Sequence, residues 1–127
     1  YRHSVLADNG YIALFASLQL AQGDPAAIAL TMRELNQKRN SKQPVQYPSA
    51  GSTFKRPEGH FAGKLIEDAG LKGVTVSGAQ VSTLHSGFII NRGGATATDI
   101  LQLISLVQNT VYDRFGVMLE PEVRIIG

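Results

Sequence analysis

"GFIINRGGATATDILQLISLVQNTVYDRFG", residues 87–116, decides what kind of fold this chain can adopt. Phe88, Ile89 and Ile90 form a short apolar run with β-branched members, which reads as a strand. "NRGG" then turns the chain. From Ile100 the apolar positions recur at helical spacing: Ile100, Leu103, Ile104, Val107 and Val111. Thr96 or Thr98 can serve as the N-cap of this helix, and the Thr96 to Asp99 spacing is that of a capping box. Gly116 is placed to close it. A strand that leads through a glycine turn into one long amphipathic helix calls for a sheet with a helix laid on it.

Upstream, "VTV" and "AQVS" are strand-like, and "GHFAGKLIEDAGLKG" predicts a short helix with Phe61, Leu65 and Ile66 inward, ended by Gly70. Downstream, "VMLEPEVRII" reads as a last strand. Near the start, "GYIALFASLQL" alternates strictly, which predicts a strand covered on both faces. "ADNG" is a hairpin signal that would pair it with "RHSVL". Asp24 then caps a helix with Pro25 in its first turn and Ile28, Met32 and Leu35 as its apolar stripe. From Gln43 to Pro57 there is no periodicity, as in an ordered loop. Hairpins and helices mix without strand–helix repetition. The expected fold is therefore α+β, a small mixed sheet with two or three packed helices.

The 127 residues suit one domain, and 43% hydrophobic with 17% charged is ordinary for a globular protein. No apolar run is long enough to span a bilayer and no signal-peptide pattern is present, so a cytoplasmic location and no membrane partner are expected. The chain contains no cysteine, which removes disulfides and thiolate metal sites. His3, His60 and His85 lack zinc-ligand spacing, and no metal is expected. The formal charge is +2, and the densest basic stretch, Lys38, Arg39 and Lys42, reads as a solvated helix end. "GHFAGKL" falls one residue short of a phosphate-binding P-loop and puts Leu65 where a hydroxyl must hold magnesium. There is no G-x-G-x-x-G. The start at Tyr1, without methionine, suggests a piece of something longer.

"PSAGSTFKRPEGH", residues 48–60, carries the remaining chemistry. It sets Ser52 and Thr53 beside Lys55 and Arg56, between prolines and glycines. Two readings stand. Ser52 can simply bond its own backbone in a turn, with Lys55 and Arg56 as surface charges. Alternatively the loop is an anion site whose hydroxyl can give up a proton, because neighbouring cations stabilise the charge left behind.

"PSAGSTFKRPEGHFAGKLIEDAGLKG", "GAQVSTLHSGFIINRGGATATDI" and "LEPEVRIIG", in that order, resemble the substrate-binding C-terminal domain of the UDP-N-acetylenolpyruvoylglucosamine reductase (MurB) family. "YRHS" resembles the end of that family's flavin-binding region. The resemblance implies residues 1–22 as the end of the flavin-binding region, a terminal hairpin, and residues 23–127 as the substrate-binding domain. It implies a flavoenzyme of peptidoglycan precursor synthesis in which NADPH reduces FAD and the flavin passes hydride to the enolpyruvyl group of a UDP-sugar. By motif, Arg2 matches the catalytic arginine, Ser52 the proton donor and Glu122 the catalytic glutamate. Lys42, Lys55, Arg56, His85 and Asn91 match positions near the substrate. The chain resembles the shorter subgroup, because Leu20 leads almost directly into the Asp24 helix. By itself it is expected to be inactive, and the enzyme is expected to be a monomer.

The residue types suit that chemistry. Hydride addition to an enolpyruvyl double bond leaves an enolate, which calls for preorganised positive charge and then one proton. A glutamate facing the same carboxylate helps only when protonated, which burial can arrange. Pro121 should separate Glu120, a solvated rim residue, from Glu122, turned toward the site. Without the resemblance, Arg2 and Lys42 read as surface charges, His85 as a half-buried core histidine and Asn91 as a turn residue. The rival function is a non-catalytic module gripping a nucleotide-sugar or RNA phosphate through Lys38, Arg39, Lys42, Lys55 and Arg56. No nucleic acid is expected, since no stacking aromatics interleave these residues.

Overall fold

A computed structural model describes residues 4–126. The chain divides into two compact units, separated in the sequence between Met32 and Arg33. In the first, α1 (Val5–Asp8) is a single turn, and residues 11–24 carry no regular secondary structure. The expected strand over Tyr11–Leu20 and its hairpin are therefore absent. Asn9 N–H donates to the Val5 carbonyl at 3.2 Å, and Gly10 takes a φ of +65°. The Asn-Gly pair thus ends a helical turn instead of making a hairpin. A two-stranded hairpin is marginal by itself, so alternation without a neighbouring strand does not suffice to form one. Ile12, Leu14, Phe15, Leu18 and Leu20 are all exposed.

Helix α2 (Pro25–Lys42) begins as its sequence predicts. The two Asp24 carboxylate oxygens accept from Ala26 N–H at 3.3 Å and Ala27 N–H at 3.1 Å. Its expected apolar stripe, Ile28, Met32 and Leu35, is exposed. Good helix formers and the cap support this helix rather than a buried face.

The second unit is built on a four-stranded sheet: β1 (Ser49–Ser52), β2 (Thr75–Val76), β3 (Ala79–Val81) and β4 (Phe88–Asn91), ordered β1-β4-β3-β2. All of its pairings are antiparallel, so the expected mixed sheet is corrected in that detail. β1 lies within the stretch that sequence periodicity left as loop. Ser77 and Gly78 turn β2 into β3. Helix α3 (Ala62–Asp68) buries Leu65 and Ile66, while Phe61 stays exposed at its N-cap.

Helix α4 (Ala97–Phe115) crosses β2 and β3 and packs on α3. The capping box forms at Thr96: its N–H donates to Asp99 Oδ2 at 2.8 Å, and Asp99 N–H donates to Thr96 Oγ1 at 3.2 Å. Thr98 lies inside the helix. Gly116 closes α4 in the left-handed conformation with φ 67°. Leu103, Ile104, Val107 and Val111 are buried against Ala79, Val81, Ile89, Ile66 and Leu119, with Ile100 at the margin. The predicted last strand is reduced to a strap. Lys55 N–H donates to the Glu120 carbonyl and Glu122 N–H to the Thr53 carbonyl, each at 2.8 Å. Between them Pro121 bridges Phe54 without an N–H to give.

Candidate active site

The site grows from an irregularity in β1. Ser49 pairs with Ile90 and Ser52 with Phe88, three steps on β1 against two on β4. One extra residue is thus inserted, a β-bulge. Gly51 takes it up with a φ of +84°, a conformation that favours glycine. The bulge re-aims Ser52, which is exposed and lines a cavity of about 510 Å³ with Arg39, Gln43, Tyr47 and Phe88. Arg39 Nε donates to Gln43 Oε1 at 3.3 Å, which fixes that wall. The Arg92 guanidinium lies 4.8 Å from the Tyr47 ring centroid.

Thr53 turns the other way and is buried. Its N–H donates to the Gly87 carbonyl at 2.8 Å and its hydroxyl accepts from Ile89 N–H at 3.1 Å. Its carbonyl accepts from Glu122 N–H, so the strap pairs with the Thr53–Phe54 peptide that follows the bulge. Glu122 is half-buried, with Oε2 shielded from solvent. Glu120 is exposed and ion-pairs with Lys55. Residues two apart on this segment therefore differ sharply in environment, and Pro121 lies between them.

The other nominated residues scatter. Arg56 lies 4.0 Å from the Phe61 ring centroid, and its Nε donates to the His60 carbonyl at 3.3 Å. With Lys55, Met118 and Glu120 it lines a second cavity of about 450 Å³, apart from the Ser52 wall. Lys42 is exposed at the last residue of α2, next to Gln43 of the Ser52 cavity. His85 is exposed rather than half-buried; its Nδ1 accepts from Gly87 N–H at 3.1 Å, and its ring meets Phe88 edge-on at 5.0 Å. Asn91 organises the following turn, its Oδ1 accepting from Gly93 N–H at 2.8 Å and Ala95 N–H at 3.2 Å. Arg2 lies outside the described residues. Sequence reasoning missed Tyr47 and Phe88 as walls of the Ser52 cavity, because the register that joins them depends on the bulge.

Residues 43–126 match the family model described as UDP-N-acetylenolpyruvoylglucosamine reductase, C-terminal domain. The chain belongs to that family. A UDP-N-acetylenolpyruvoylglucosamine reductase of Latilactobacillus sakei is 58% identical over 127 residues, and one of Clostridium perfringens is 56% identical over the same length. In each case the alignment covers 100% of this chain and 42% of the relative, so the chain spans less than half the length of these reductases. The crystal structure of UDP-N-acetylenolpyruvylglucosamine reductase (MurB) from Thermus caldophilus superposes with a TM-score of 0.66 at 37% identity. That match covers 84% of this chain and 38% of the Thermus chain. The α+β fold is thus that of the reductase family's C-terminal domain.

Proposed function

We propose that this chain is the substrate-binding and proton-donating part of a UDP-N-acetylenolpyruvoylglucosamine reductase, which reduces the enolpyruvyl group of a UDP-sugar in peptidoglycan precursor synthesis. Residues 1–22 are assigned to the end of the flavin-binding region and 23–127 to the substrate domain. FAD and NADPH come with the family. The described residues do not make a dinucleotide cradle at their glycine pair, since Asn91 Oδ1 takes the Gly93 and Ala95 amides. The cofactors are therefore assigned to the part of the reductases that this chain does not span, and reduced flavin supplies the hydride.

What remains for this chain is charge and a proton. The enolate left by hydride addition is basic enough to take a proton from a hydroxyl held within reach. Ser52 is the proposed donor, Glu122 its carboxyl neighbour, and Arg2 the guanidinium for the substrate carboxylate. The observation that carries this is the Thr53 carbonyl to Glu122 amide bond, which joins the two motifs at the bulge. Lys42, beside the Ser52 cavity, suits the phosphates. Lys55, Arg56 and Asn91 would reach substrate only by giving up Glu120, Phe61 and the turn amides. The same commitments weigh against an RNA-phosphate grip. His85 acts on the cavity through Phe88.

In the longer enzyme, Ser52→Ala should leave flavin reduction by NADPH intact and slow flavin reoxidation by the enolpyruvyl substrate by about 10²–10⁴. Ser52→Cys should recover part of the loss. Equal slowing of both half-reactions would return Ser52 to a turn residue.

A further inference from the structure

At the end of the Ser52 cavity away from the bulge, Asn91 N–H donates to the Pro48 carbonyl at 2.9 Å. That bond brings the neighbours of the pair, Tyr47 and Arg92, together, and the Arg92 guanidinium lies 4.8 Å from the Tyr47 ring centroid. Other bonds fix both partners. Arg92 N–H donates to the Gly78 carbonyl at 2.8 Å, and its Nη1 donates to Gln80 Oε1 at 3.3 Å. Gln80 Nε2 in turn donates to the Gly73 carbonyl at 3.1 Å, so the guanidinium is tied to β3. Tyr47 N–H donates at 3.1 Å to the carbonyl of Pro44, a buried residue. Tyr47 is half-buried and lines the Ser52 cavity, whereas Arg92 is no part of that lining. The cation therefore backs the ring from outside the cavity.

We propose that the Tyr47 ring is the surface on which the uracil of the UDP-sugar stacks, and that Arg92 is the positioning residue that holds it there. This rests on the proposed function, which puts the enolpyruvyl group at Ser52. In such a substrate the diphosphate and the ribose separate the base from the enolpyruvyl-bearing sugar, so the base belongs at the end of the cavity remote from Ser52. Tyr47 precedes Ser52 by five residues of largely extended chain, a reach of at most about 17 Å. The aromatic rings in the cavity lining are Tyr47 and Phe88. Phe88 pairs with Ser52 across the sheet and is 7% exposed, which leaves Tyr47 as the ring for the base. A pyrimidine stacks on an aromatic face without needing a matching hydrogen-bond pattern. The guanidinium is attracted to the tyrosine π-system and restricts how the half-buried ring can turn.

The test uses the longer flavoenzyme carrying this chain, with the enolpyruvyl substrate and with UDP as a competing probe for the base end. Tyr47→Ala should raise KM by about 5- to 100-fold, the range for losing one base–aromatic stack. The loss should fall on KM more than on kcat, because the stack is made equally in the ground and transition states. The UDP inhibition constant should rise by the same factor, and Tyr47→Phe should recover most of both losses. Arg92→Ala should raise both constants by about two- to fivefold, the worth of an exposed cation–π contact, and Arg92→Lys should recover part. In the Tyr47→Ala background Arg92→Ala should add nothing, since it acts through that ring. If Tyr47→Ala fails to fold, Tyr47→Leu, bulky without a π-face, should show the same rise in KM. An unchanged KM in the Tyr47 variant, or a UDP constant that does not follow KM, would overturn the proposal. So would an undiminished Arg92→Ala effect in the Tyr47→Ala background, which would put Arg92 directly on the substrate. Should Ser52→Ala itself reoxidise at the wild-type rate, the functional reading falls and the proposal with it.

Discussion

Two glycines to alanine, Gly51 in β1 and Gly78 in the turn between β2 and β3, should separate conformational cost from steric cost. Gly51 has a φ of +84°, and a methyl built there meets nothing within 4 Å. Gly51→Ala therefore costs only the left-handed backbone, about 1–2 kcal/mol. Unfolding entropy for a chain of 127 residues then converts this to a Tm loss of about 4–8 °C. At Gly78 the methyl would lie 2.2 Å from the Gly93 carbonyl oxygen and 2.6 Å from the Ala95 nitrogen. Both atoms are backbone, in a turn clamped by Asn91, so no rotamer change relieves the collision. Gly78→Ala should cost about 3 kcal/mol or more, the upper end of overpacking, with a Tm loss of about 11 °C or more. Thermal unfolding by circular dichroism and urea midpoints measure both. In the longer enzyme, Gly51→Ala should also slow flavin reoxidation, because it strains the bulge that aims Ser52. A Gly78→Ala variant as stable as Gly51→Ala would refute the steric reasoning.

Glu122→Gln in the longer enzyme should cut turnover by about 10²–10⁴ if its carboxyl acts with Ser52, while Glu120→Gln, which loosens only the Lys55 pair, should stay near wild type. Comparable small effects would remove Glu122 from the site. Stability should also depend on pH at the cap of α4. The N–H and then the hydroxyl of Thr96 hold the Asp99 carboxyl below its ordinary value of 3.8. That contribution is present above pH 3.8 and is lost as pH falls through the folded-state value. Urea midpoints should fall in that acid range, and Asp99→Asn should remove part of the fall.

The sequence was most legible where local chemistry and packing agreed. Helix α4 appears with its capping box, its buried stripe and its Gly116 stop. Asp24 caps α2 as its side chain requires. The misreadings have separate physical causes. Tyr11–Leu20 alternates like a strand, but alternation describes faces and cannot supply the neighbour that a ladder needs. Asn9-Gly10 is permissive for positive φ, and a helix end uses that freedom as readily as a hairpin does. β1 was invisible because a four-residue strand containing a bulge has no clean period of two. "VMLEPEVRII" has the composition of a strand, which its own proline interrupts. Ser52 and Glu122 stand out through motif resemblance, and the pairing of the strap with the Thr53–Phe54 segment depends on two amide bonds that no pattern announces.

"GSTFKRP", residues 51–57, divides its labour residue by residue. Gly51 supplies the bend and Ser52 faces the cavity. Thr53 is buried, its hydroxyl accepting from Ile89 N–H, and Phe54 is buried and bridges Pro121. Lys55 is drawn to Glu120, and Arg56 lies over Phe61. The two cations that made this loop look like an anion trap are thus engaged on the side away from Ser52. Lys55 instead offsets the charge of Glu120, and the next contact of the strap is the Glu122 N–H to Thr53 carbonyl bond. Positive charge at the Ser52 cavity comes from α2, where Arg39 forms part of its wall. On the proposed function, an enolate developing at Ser52 would therefore be met by charge from outside the loop, from Arg39 in the cavity wall and Lys42 at the end of α2. The loop's own task is geometric. It holds one hydroxyl on a bulge and pairs its next peptide with the strap that carries Glu122, while its lysine and arginine are engaged by Glu120 and Phe61.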